Sequence, residues 1–310
     1  MADQIFEYEI FDPSFTRLVS RNMRLVKLWS GGAWTEGPVW FGDAGMLLFS
    51  DIPNDRILRF LPELSGLGGT VHVYRQPADF ANGLTRDREG RLIACEHGAR
   101  RVTRTELDGR ITVIADRIDG RRLNSPNDVV VKSDGTIWFT DPQYGIDSDL
   151  QGHRGEAEYG GAWVFRVDPA RGEIAVVAED FVRPNGLAFS PDEKRLYIAD
   201  SGYSAVPGGP RHIRVFEVDD NNRLSGGRVL AECDAGRYDG FRVDTEGRIW
   251  TSADDGIHCL TPEGTLLGKI RLPELVSNLC FGGPRRNRMF ITATSSLYAV
   301  FTNVNGAQRP

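Results

Sequence analysis

Histidine and cysteine are scarce in this chain, and neither is spaced for chemistry. Of 310 residues, 5 are His and 4 are Cys. Cys95, Cys233, Cys259 and Cys280 include no CxxC pair, so a thiolate zinc site is not expected. Cys95 and Cys280 fall inside apolar strand patterns and read as buried small hydrophobes. The even count allows two disulfides, but a core of this size does not need them. His72, His97, His153, His212 and His258 show no ligand spacing and read as ordinary strand or loop residues. No GxSxG occurs, and no Ser–His–Asp or Cys–His set carries a local signature, which argues against a serine- or cysteine-nucleophile hydrolase. A long apolar run is missing too, as are a basic n-region and an apolar h-region in MADQIFEYEI. A soluble cytoplasmic protein without membrane contact is expected. Basic blocks are absent: Lys and Arg number 37 against 43 Asp and Glu, a net charge of −6. Arg100-Arg101, Arg121-Arg122 and Arg285-Arg286 are scattered and read as solvated turns, so nucleic acid is not an expected partner. Nor does any stretch hold a long 3.6-residue apolar period, so helix content should be low.

What is present is a recurrence. Glu36, Asn82, Asn127, Asn185, Asp239 and Asn278 each open a short apolar run, and five of the six are followed by Gly or Asp. A tight turn comes next, centred on Gly45, Gly90, Gly135, Lys194, Gly247 and Asn287, at offsets of 9, 8, 8, 9, 8 and 9 residues. The turns lie 45, 45, 59, 53 and 40 residues apart, the period of four-stranded propeller blades. After each turn comes a second apolar run (MLLFSD, RLIACE, TIWFTD, RLYIAD, RIWTSA, RMFITA), rich in β-branched and aromatic residues. Third and fourth runs complete most units.

The unit from Asn278 supplies about three strands, Leu279–Gly282, Arg288–Ala293 and Ser296–Thr302. The stretch Met23 to Trp29 stands unassigned before the first unit. Pairing that N-terminal strand into the last blade closes the ring and removes an open edge. The expected fold is therefore all-β: a single six-bladed β-propeller over residues 23–310, its last blade closed by an N-terminal strand. Residues 1–22 read as a loosely packed N-terminal extension. Two connections, Asp141 to Gly161 and Asp200 to Arg211, are long enough to act as covers on a rigid scaffold.

Innermost strands of a propeller begin at one mouth of the central channel, so pseudo-symmetry gathers the six polar side chains there. Four amides and two carboxylates suit a hard divalent cation. No His stands among the six, which disfavours an imidazole zinc site. Asn and Asp before Gly are also common turn formers. Six at equivalent positions, one of them a Glu, exceed what turn chemistry explains.

The segments TEGPVW, SDIPNDRI, SPNDVVVKSDGTIWFTDPQYG, RPNGLAFSPDEKRLYIADSG and YDGFRVDTEGRIW resemble the gluconolactonase and senescence marker protein (regucalcin) family, over about Trp34 to Tyr298. The PND motif and the following TDPxYG look closest to bacterial gluconolactonases. The resemblance implies a six-bladed propeller with one divalent metal, and a lactonase acting on a sugar lactone. Oxygen donors favour Ca2+, with Zn2+, Mg2+ and Mn2+ as the other candidates. It implies Glu36, Asn185 and Asp239 as metal ligands, with Asn127 and Asn82 facing substrate. Asp239 would act as general base, or alternatively as nucleophile. Animal members carry Arg two residues before the third-blade Asn, where this chain has Ser125. A phosphotriesterase-like or other ester hydrolase on the same metal site, or a non-enzymatic calcium-binding propeller, are the alternative functions.

Overall fold

The computed structural model describes residues 8–19, 22, 24–64 and 68–308. Short β-rich runs, punctuated by turns, pair into six antiparallel four-stranded blades. The innermost strands are Thr35–Phe41, Ala81–Arg86, Val129–Val131, Pro184–Phe189, Phe241–Val243 and Val276–Gly282. They pack one against the next in that order, and the sixth returns to the first, which closes the ring. The second strands, Met46–Asp51, Leu92–Glu96, Ile137–Asp141, Arg195–Asp200, Ile249–Ala253 and Arg288–Ala293, coincide with the second apolar runs. Between neighbouring blades lie the apolar layers of the core, such as Val130, Trp138, Leu187 and Ile198 between blades three and four.

The closure is the expected one. Val26–Ser30 pairs antiparallel with Ser296–Phe301 and supplies the outermost strand of blade six. Met23, taken as the start of this strand, lies outside the described residues.

Residues 8–19 differ from the loose packing expected of the N-terminal extension. Tyr8–Ile10 adds a fifth strand to blade five, with Tyr8 opposite Ile270 and Ile10 opposite Gly268. A single helical turn, Phe15–Leu18, then buries Phe15 against Trp250, ring centroids 6.1 Å apart. A Cβ on Gly268 would stand 2.3 Å from that ring, so this glycine makes the socket. The partners are some 250 residues apart in the chain, out of reach of local patterning. Phe15→Ala should lower unfolding stability by about 3–5 kcal/mol, read as a shifted denaturation midpoint with unchanged slope.

The acid that ends several second strands has a structural task. Asp51 accepts from the Ala33 N–H at 2.9 Å, Asp141 from Asn124 at 2.7 Å, and Asp200 from Val182 and Arg183 at 3.0 and 2.8 Å. Each carboxylate thereby satisfies backbone donors of the segment entering its own blade. Both long connections, 141–161 and 200–211, join second to third strands, at the end of the channel where the innermost strands begin.

Candidate active site at the channel mouth

Every junction between blades is bonded at this mouth. Ser50 Oγ donates to Asn82 O (2.6 Å), Gly83 N to Asn127 O (2.8 Å), and Thr140 Oγ1 to Asn185 O (2.8 Å). Gly186 N then donates to Asp239 O (3.1 Å), Gly240 N to Ser277 O (2.8 Å), and Ser277 Oγ to Thr35 O (2.6 Å). The glycines after the polar residues follow from this closeness. A Cβ on Gly37 (φ +55°), Gly83 or Gly186 would lie 2.1–2.3 Å from a carbonyl oxygen of the next blade. The polar residue's backbone is thus held on both sides, and its side chain has a fixed origin.

All six side chains are buried: Glu36, Asn82, Asn127, Asn185, Asp239 and Asn278. Glu36 and Asp239 share the mouth and repel each other. Burial, then that repulsion, pushes Glu36 well above the carboxylate range, against hydrogen bonds from Gly37 N–H (2.9 Å) and the Asn278 side chain. Burial likewise pushes Asp239 up. Arg237 and a hydrogen bond from the Asn185 side chain pull it down, while Asp128 and Asp254 add to the rise. Glu36, Asn185 and Asp239 are therefore gathered in one place, and Asn278, which had no expected role, joins them. Asn82 turns instead to His97, its Nδ2 lying 3.3 Å from Nε2. Asn127 holds its ring position through its N–H on Thr140 O at 2.8 Å.

Other residues of the mouth were assigned no role from the sequence. Asp128 stands where four other blades have glycine, and its Oδ2 meets Arg242 Nη1 of blade five at 3.4 Å, both side chains buried. Arg237 faces Asp239, Asp254, Tyr144 and Glu36, whose charges outweigh the burial of its guanidinium. Tyr144, from the 141–161 connection, meets Ser204 Oγ of the 200–211 connection at 3.2 Å. Burial and then the charge of Asp239 raise its phenol to about 12. The two long loops therefore meet beside Asp239. Ser125 is not free for substrate: its Oγ donates to Pro142 O (2.6 Å) and accepts from Gly145 N (2.9 Å), anchoring the first loop.

The opposite end of the channel differs in kind. Two cavities of about 560 and 450 Å³ open there, sharing Arg242, Val243 and Gln308, and neither is lined by any of the six polar residues. The C-terminal segment lies across that end, with Ala307 N on Val243 O (2.9 Å) and Gln308 Nε2 on Thr85 Oγ1 (3.1 Å).

Among the described residues no three His, Cys, Asp or Glu side chains group as a metal site. The group at the mouth is of another sort, carboxylate and amide oxygens together. Two buried, mutually repelling carboxylates flanked by amides fit a hard divalent cation. They do not resemble the nitrogen and sulfur sets that select zinc.

Residues 34–295 match the family model described as SMP-30/Gluconolactonase/LRE-like region. The chain belongs to this family. A gluconolactonase of Zymomonas mobilis is 29% identical over 320 residues, covering 96% of this chain and 86% of the relative. A pentonolactonase of Haloferax volcanii is 27% identical over 286 residues, covering 89% and 84%. Among solved structures, a gluconolactonase of Xanthomonas campestris superposes with a TM-score of 0.86 at 35% identity, covering 95% of this chain and 94% of that one. No helix among the described residues is long and apolar enough to cross a membrane.

Proposed function

We propose that this family member is a lactonase that hydrolyses a sugar lactone at the mouth formed by Glu36, Asn185 and Asp239, with a divalent cation, calcium by preference, held by their oxygens. The observation that carries the reading is the pairing of Glu36 and Asp239, buried, mutually repelling and flanked by Asn185 and Asn278, in a family whose relatives include gluconolactonases. When bound, such a cation supplies Lewis acidity to the lactone carbonyl and offsets the charge of the tetrahedral oxyanion.

The remaining work falls to the chain's own side chains. Asp239, whose carboxylate is pushed toward neutral pH, takes the proton of the attacking water. Water oxygen adds to the carbonyl carbon, the ring C–O bond breaks, and the proton passes to the leaving alkoxide, giving the hydroxy acid. Asn127 and Asn82 orient substrate oxygens from the neighbouring blades. Arg237 faces the same carboxylates and places positive charge where the carboxylate product forms. Contact between Tyr144 and Ser204 brings the two long loops together over the site and restricts water.

The test is hydrolysis of D-glucono-δ-lactone beside a phosphotriester, by protein stripped with chelator and then supplied with Ca2+, Mg2+, Mn2+ or Zn2+. Lactone turnover should vanish on stripping and return with metal, and should exceed phosphotriester turnover. Absence of lactone hydrolysis with all four ions would overturn the reading, and faster phosphotriester cleavage would redirect it.

A further inference from the structure

His97 follows the second strand of blade two, wholly buried, and it is the junction of three parts of the molecule. Its backbone N–H donates to Phe80 O at 3.2 Å, on the entry to the innermost strand of its own blade. Its Nδ1 lies 2.9 Å from Gln151 O, in the middle of the 141–161 loop. Its Nε2 lies 3.3 Å from Asn82 Nδ2. The loop is built around the ring: a Cβ on Gly145 would stand 2.5 Å from His97 Cβ, so only glycine lets the loop settle there. Gly152 repeats the device one layer out, its Cβ position 2.2 Å from Gly145 O. His153 then packs edge-on against Phe80 at 5.2 Å.

These contacts decide the protonation pattern. A backbone carbonyl can only accept, so Nδ1 carries the hydrogen. Burial holds the ring neutral by depressing its pKa to about 4, so Nε2 is a lone pair and its partner must donate. Of the two amide atoms of Asn82, only Nδ2 can do so, which leaves Oδ1 as the atom not engaged by His97.

We propose that His97 is a positioning residue, which ties the 141–161 loop to Asn82 and sets that amide so that an oxygen, not an NH2, is presented to the substrate. A freely turning Asn82 could offer either atom. Oriented by His97, it can accept a hydrogen bond from a substrate hydroxyl, so the subsite favours a hydroxylated lactone over a deoxy one. Loop placement and amide orientation then become one event, because the same ring makes both contacts.

This inference rests on the lactonase reading for its kinetic consequence but not for its structural one. Imidazole nitrogen spectra of the full chain, with His97 assigned by difference in His97→Gln, should show the Nδ1–H tautomer, and Asn82→Ala should move its Nε2 resonance. In kinetics, His97→Phe should lower kcat/KM for a polyhydroxylated lactone about tenfold, roughly the loss of one hydrogen bond. His97→Gln, whose Oε1 can accept at the Nε2 position, should recover most of it. In an Asn82→Ala background, His97→Phe should change kcat/KM less than threefold, since the partner is already gone. An Nε2–H tautomer, or the same tenfold loss in both backgrounds, would overturn the proposal. Failure of the lactonase reading would show separately, as a wild-type protein with the expected spectra and no turnover.

Discussion

Replacing Asp239 by Asn is expected to lower kcat for lactone hydrolysis by about three orders of magnitude, the span that a positioned general base contributes. The fold should survive. Asn is nearly isosteric, the Asp239 N–H still reaches Ser252 Oγ (3.1 Å), and the carbonyl still accepts from Gly186 N. An amide oxygen remains a donor to a hard cation, as Asn185 is in this reading, so metal is weakened rather than abolished. What disappears is the proton acceptor. Burial removes the hydration that would stabilise the carboxylate, and Asp128 and Asp254 add repulsion. Asp239 is therefore a stronger base than an exposed aspartate, though Arg237 and Asn185 limit the rise. Measurement should combine kcat, metal content and thermal midpoint on the same preparation. A folded, metal-loaded Asp239→Asn protein with near-normal kcat would remove Asp239 from the chemistry. Single turnover in heavy-oxygen water separates base from nucleophile. A base leaves the Asp239 carboxylate unlabelled, whereas a mixed anhydride opened by water at the aspartyl carbon deposits the label in it.

That assignment shows how far the sequence could be read. The blade count, the innermost strands and the closing N-terminal strand were all legible, because each blade repeats one pattern and the repeat can be counted. The six mouth residues were legible for a related reason, although half of the signal has a different origin. Gly83, Gly186 and Gly240 follow Asn or Asp, pairs that turn chemistry also favours, whereas Gly37 follows a Glu. In the fold all four are places where the next blade approaches too closely for a Cβ. Asp128 breaks the Gly pattern, and nothing in its local sequence announces that it spans the channel to Arg242. The roles of His97, Tyr144 and Arg237 were hidden for a third reason, although Tyr144 lies within the TDPxYG segment. Each acts through contacts made by long loops, whose course depends on which blades they lie over rather than on any period. The N-terminal residues 8–19 follow the same logic. Phe15 is an unremarkable apolar residue until the glycine socket at position 268 comes alongside it.

Metal binding and pH should be coupled strongly enough to read in stability alone. Without a cation, burial raises both Glu36 and Asp239, with the charge of Asp239 adding to the rise of Glu36 and those of Asp128 and Asp254 adding to the rise of Asp239. In the unfolded chain they return to about 4.3 and 3.9. A carboxyl group raised on folding stabilises the protein fully below its unfolded value. That contribution is lost as pH rises through the folded value. The chelated protein should therefore lose stability as pH climbs from the ordinary carboxylate range toward neutrality. Asp141, pushed up to about 7 by burial, has the same sign, but it acts equally with and without metal and cancels in the difference. A divalent cation held as proposed would offset the repulsion by binding the ionised pair. At a hundredfold excess over its dissociation constant it adds about 2.7 kcal/mol. For a protein of 310 residues that is a rise in melting temperature of about 4 °C. The rise should be large at pH 8 and small at pH 5, where protons compete for the same oxygens. Glu36→Gln and Asp239→Asn should each flatten both the pH slope of the stripped protein and the metal-induced rise. Conversion of either carboxylate removes the repulsion between the two and one of the anionic donors. An equal metal-induced rise at pH 5 and pH 8, or one unchanged by both substitutions, would place the cation somewhere other than this mouth.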